Sequence, residues 1–108
     1  MTYKIIGILK RPDGMTFEQF KTWWVDVHVP RVMKCGIVAC EINFPLNENE
    51  PFDGVAAVSF DSREAAEMIF QTPQGSSARS AAIAETSRYV IFLAEEVVIV
   101  PRPASHQG

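Results

Sequence analysis

The chain has 108 residues, a length that fits one domain and lets it bury roughly 65% of its unfolded surface without metals or disulfides. Hydrophobic residues make up 47% of it and charged residues 21%, an ordinary globular balance. The net charge is −3 and the Lys and Arg residues are scattered, so no basic stripe exists and nucleic acid is not an expected partner.

Thr2 to Leu9 is rich in isoleucine and reads as a first strand, closed by the turn signal Arg11-Pro12-Asp13-Gly14. A helix follows. Thr16 offers an N-cap and Gln19 completes a capping box, while Met15 and Phe20 occupy the two places of a hydrophobic staple. Phe17, Phe20, Trp23, Trp24 and Val27 then recur on one helical face. Pro30 disfavours helical geometry at Val29, so the helix is expected to stop there. A second strand is expected over Ile37 to Phe44 after Gly36, then a loop with Pro45, Asn47, Asn49 and Pro51, and a third strand over Gly54 to Phe60. Asp61 and Glu64 suggest a second capping box, opening a helix over Ser62 to Gln71 that turns Ala65, Met68 and Ile69 inward. Thr72-Pro73 ends it and restarts the chain as a further helix to about Glu85. The last strand begins near Arg88. One domain over residues 1–101 and a flexible tail over 102–108, carrying His106, complete the plan.

No run reaches the ~20 apolar residues of a membrane span. Lys4 interrupts the first apolar run and no small-residue cleavage site follows, which argues against a signal peptide. Cys35 and Cys40 match neither a zinc-ligand spacing nor C-x-x-C. Two such thiols suit a reducing compartment, so a cytoplasmic protein with no bound metal is expected.

The order β-α-β-β-α-β is the split βαβ plan, and right-handed crossovers give a four-stranded antiparallel sheet with helices on one face. The strands, however, are apolar on both sides. In the first, Ile5, Gly7 and Leu9 alternate with Ile6 and Ile8; in the last, Tyr89, Ile91 and Leu93 alternate with Val90, Phe92 and Ala94. A sheet with one wet face alternates apolar with polar residues. A second copy of the chain is the simplest cover for the other side, so a homodimer is expected.

His28 is the first candidate for chemistry. It lies four residues after Trp24 and eleven after Phe17, in the last turn of the helix and on its inner face. The helix dipole favours its imidazolium, whereas Arg31 and burial against tryptophans oppose it. Asp26 does not face it, because residues two apart diverge on a helix. The alternative is a hydrogen-bonded histidine of the core or of the helix end. Trp24 is the tryptophan nearer His28 and a candidate pocket wall. The planar fork of Arg31 suits a carboxylate or phenolate. Cys40 is a candidate nucleophile or a small buried hydrophobe, with no basic neighbour to lower its pKa. Tyr3 and Phe92 are candidate ligand contacts, with core packing as the alternative.

The stretch KRPDGMTFEQFKTWWVDVHVPRVMKCG resembles the signature of the EthD-like family of dimeric α+β barrels. That pattern places an aromatic residue, three positions, His, one position and Pro at the end of the first helix, after a turn containing Pro and Gly. Trp24, His28 and Pro30 match it, and Thr72-Pro73-Gln74-Gly75 resembles the family's segment after the second helix. The likeness runs from about Lys4 to Val100. It implies a ferredoxin-like dimer without metal or organic cofactor, a ligand site between sheet and helices, and the motif histidine as acid/base. The family includes methylmuconolactone isomerases and decarboxylases and dehydratases of aromatic polyketides. Some relatives carry a tyrosine where this chain has Cys40, and an acidic residue where it has Ser80 and Ala81. The expectation is therefore a cofactor-independent isomerase or lyase. It would take a small hydrophobic cyclic or aromatic carbonyl compound, with His28 moving the proton. The alternative is a non-catalytic protein that binds a hydrophobic ligand or assists an oxidative degradation system.

Overall fold

The isoleucine-rich start of the chain forms the inside of the sheet. In the computed structural model, which describes residues 2–103, β1 (Thr2–Lys10) lies between β3 (Gly54–Phe60) and β4 (Arg88–Glu96), and β2 (Ala39–Asn43) pairs with β3. All three pairings are antiparallel, in the order β2-β3-β1-β4. The tail residues 104–108, His106 among them, lie outside the described residues.

Residues directly opposite across a sheet share a face. One row runs Cys40, Val58, Ile5, Leu93, and another Ile42, Ala56, Gly7, Ile91; both belong to the helix-covered face. The opposite face carries the rows Glu41, Ala57, Ile6, Phe92 and Asn43, Val55, Ile8, Val90. The first helix forms through the capping box, since Thr16 Oγ1 accepts from Gln19 N at 3.1 Å and Gln19 Oε1 accepts from Thr16 N at 2.9 Å. It buries Phe17, Phe20 and Trp24, and Met15 joins the same apolar cluster as Phe20, consistent with the staple.

The helix does not stop at Val29. It runs as α1 (Phe17–Thr22), widens into a π-helical segment (Trp23–His28) and resumes as α2 (Val29–Met33). A proline inside an α-helix clashes with the carbonyl four residues back, and a π-type turn relieves that crowding. Here Val29 N–H donates to Trp24 O, five residues back, and Pro30 is carried through. The wider turn also rotates Val27 outward, where it is exposed rather than packed. β2 is shorter than expected because Ile37 and Val38 precede the ladder.

The second helical region is capped one residue later than expected, by Ser62, whose Oγ accepts from Ala65 N at 3.0 Å. α3 (Arg63–Met68) and a 3-10 turn (Ile69–Gln71) therefore bury Ala66 and Ile69 and leave Met68 exposed. Thr72 caps α4 (Pro73–Ala84) as expected, its Oγ1 accepting from Gly75 N at 3.0 Å. Gly75 is obligatory there, because a Cβ would fall 2.0 Å from the Ile69 carbonyl oxygen.

Asp53 escaped the sequence reading. It is fully buried at the start of β3, where Oδ2 accepts from Arg11 N at 2.8 Å and Lys10 Nζ stands 3.6 Å from Oδ1. It ties the end of β1 to the start of β3. Among the described residues no helix is long and apolar enough to cross a membrane.

Candidate functional site

Between the sheet and the helices lies a cavity of about 90 Å³. The sheet contributes Ile5, Ala56 and Ile91 to its wall, and the helices Trp24, Ile69 and Ala82. Its polar lining consists of His28, Arg79 and the thiols Cys35 and Cys40.

The π-helical segment sets the position of His28. With the turn widened, residues five apart align, and the imidazole stacks on the Trp23 indole at 5.1 Å between centroids and 10° between planes. Trp23 stacks in turn on Phe20 at 5.1 Å, and its indole N–H donates to Glu85 Oε1 at 2.9 Å. Glu85, just past α4, also accepts from Arg31 Nη1 at 3.1 Å. These two donors, Trp23 first, hold the Glu85 carboxyl below the usual range.

His28 itself is 6% exposed, and its Nδ1 is buried with no hydrogen-bond partner among the described residues. Burial pushes its pKa down to about 4, Arg31 pushes the same way, and Glu85 opposes. The imidazole is therefore neutral at pH 7, which resolves the conflict between dipole and burial in favour of burial. A helix-closing histidine would spend its Nδ1 on a backbone or side-chain partner; this one does not.

Of the other residues singled out from the sequence, Trp24 and Cys40 reach the cavity wall together with His28. Burial, and secondarily Glu41, pushes the Cys40 thiol up, and burial pushes Cys35 up, so both stay protonated and neither is an activated nucleophile. Three residues do not line the cavity. Arg31 is engaged with Glu85 outside it. Phe92 follows Ile91 in strand alternation and points to the opposite face, across from Ile6. Tyr3 packs beside the cluster of Ile5 and Phe60, with the Arg63 guanidinium 6.0 Å from its ring centroid. Arg79, which does line the cavity, went unnoticed because α4 is only weakly amphipathic.

No family model matches the chain, and no curated protein matches it. Solved structures do. An EthD-family protein from Bacillus halodurans aligns over 90% of this chain and 100% of its own at TM-score 0.77 and 17% identity. A hydroxynitrile lyase from Passiflora edulis aligns over 93% and 97% at TM-score 0.70 and 10% identity. A dimeric ferredoxin-like protein of unknown function from Bacteroides fragilis aligns over 88% and 96% at TM-score 0.59 and 14% identity. At these identities the likeness speaks for architecture: the chain has the ferredoxin-like βαββαβ fold with a four-stranded antiparallel sheet, shared with the EthD-family and dimeric ferredoxin-like proteins it matches.

Proposed function

We propose that the cavity binds a small hydrophobic carbonyl compound and that His28 moves a proton at the carbon or oxygen beside that carbonyl, with no cofactor. The observation that carries this reading is a neutral, buried imidazole with an unpartnered nitrogen at an otherwise apolar cavity. At a pKa of about 4 the imidazole keeps a free lone pair throughout the physiological range, though it is a weaker base than an ordinary histidine, and a bound anion beside it would raise its basicity. It would take a proton from the substrate, become imidazolium, and return the proton to another substrate atom. Isomerisation, decarboxylation with proton return, and elimination all follow from this one exchange. The hydroxynitrile lyase among the structural matches supports the capacity of the fold for lyase chemistry.

A purely ligand-binding role is favoured by one observation: among the described residues no carboxylate hydrogen-bonds to His28 to orient it. Solvent-deuterium exchange separates the two. Small ketones and 1,3-dicarbonyl compounds are incubated with the protein in D2O and followed by proton NMR. The wild type is expected to accelerate exchange beside the carbonyl, and His28→Ala to lose about a hundredfold or more of that acceleration. Binding without exchange in the wild type selects the ligand-binding role.

The functional unit is a two-fold dimer in this reading. The face of Ile6, Ile8, Val90 and Phe92 carries no helix, and Phe92 is 45% exposed. Such an apolar sheet face is the kind of surface that a second copy covers, and two structural matches are dimeric proteins.

A further inference from the structure

The face of α4 that meets the cavity is built from Gly75, Ala78, Arg79 and Ala82, spaced three and four residues apart. Three of these residues are small, and they leave the space that becomes the cavity. Arg79 is the only long side chain on that face. Its guanidinium is held over the ring of Phe70, another wall residue, at 5.4 Å from the centroid. No carboxylate among the described residues lies within ion-pair distance of Arg79, and no acceptor takes its N–H donors. Arg31, by contrast, is committed to Glu85. The remaining polar groups of the wall carry no charge, since the imidazole is neutral and the thiols are protonated. The site therefore has one fixed positive charge with its planar fork unused, beside an apolar interior.

We infer that the ligand of this cavity is a small carboxylic acid, bound as its anion by Arg79 with a short apolar body inside. The inference rests on the reading above that the cavity is the ligand site, and names the class of compound it takes. A planar fork of donors fits a carboxylate in bidentate fashion, and charge-assisted hydrogen bonds of this type are about twice as strong as neutral ones. Size bounds the body. An apolar cavity of ~150 Å³ accommodates benzene, so the 90 Å³ present here holds an apolar body of roughly four carbons. A short aliphatic, branched acid matches that space, with the carboxylate end left free to reach the exposed Arg79. With the carboxylate at Arg79, the body of the acid lies against the wall that His28 shares.

The test uses 3-methylbutanoate and its uncharged analogue 3-methylbutanamide, titrated calorimetrically into wild-type protein and Arg79→Gln at pH 7. Arg79 is exposed, and the melting temperature of the variant confirms its fold. The wild type is expected to bind the acid about tenfold or more tightly than the amide, and Arg79→Gln to bind the two alike. Equal binding by the wild type, a preference that survives in Arg79→Gln, or no binding of either compound overturns the inference. The deuterium-exchange experiment reads a separate property. Lost acid preference with His28-dependent exchange intact sinks this inference alone, and acid preference without such exchange sinks only the catalytic reading.

Discussion

The imidazole of His28 is neutral because of where the widened helix puts it: against Trp23, beside the cavity, with Arg31 as the nearest charge that disfavours its cation. That placement links stability to pH. The folded-state pKa is about 4 and the ordinary value is 6.5. Between those values the unfolded chain binds more protons, so stability is full above pH 6.5 and falls as pH drops towards 4. The loss is roughly 3 kcal/mol. Urea midpoints from pH 4 to 8 should show this slope in the wild type and a flatter profile in His28→Asn. Asp53 behaves differently. Removing its charge strands Lys10 and Arg11 around a buried site, so Asp53→Asn is expected to cost roughly 3 kcal/mol by denaturant titration. The sequence pointed to His28 chiefly through the resemblance of Trp24, His28 and Pro30 to the EthD-like signature, but it could not show the unpartnered Nδ1, which depends on what the sheet and α4 leave within reach. Asp53 follows a loop with Pro45 and Pro51 and carries no local signal of burial; the closure of β3 against the β1 turn buries it.

At the scale of elements, signals confined to a few neighbouring residues were legible. The capping box of Thr16, the strand Gly54–Phe60 and the restart at Thr72-Pro73 all follow from local hydrogen bonding and alternation. The π-helical segment was not legible, because a proline in a helix has two outcomes, termination or a widened turn, and packing decides between them. Here Trp24 is buried against Gly54, where a Cβ would fall 2.6 Å from its ring, and Phe44 meets it edge-on at 5.8 Å. These contacts anchor the helix at the start of the wide turn. The close seating of α4 on the 3-10 turn is likewise tertiary. Gly75→Ala must move one element off the other and so is expected to destabilise by about 3 kcal/mol or more and to alter ligand binding at the cavity, measured by thermal melts and calorimetry.

For the whole molecule, the sheet divides two tasks between its faces. One face, with Ile5, Ala56 and Ile91, closes the cavity under the helices. The other, with Ile6, Ile8 and Phe92, carries no helix among the described residues and is the face that the proposed dimer would cover. Phe92→Glu places a charge in that face and is expected to give a monomer by sedimentation velocity at micromolar concentration, whereas the wild type is expected to sediment as a dimer. The cavity lies on the far side of the sheet, so its ligand binding should survive the change. On the helix side, the cavity holds the imidazole of His28 in its neutral form. Nitrogen-15 NMR of the histidine rings across pH 3 to 8, with His28→Asn to assign the signals, tests it most directly. The His28 ring is expected to stay neutral down to about pH 5 and to titrate near 4. A midpoint near 6.5, the value of an ordinary exposed histidine, would contradict it.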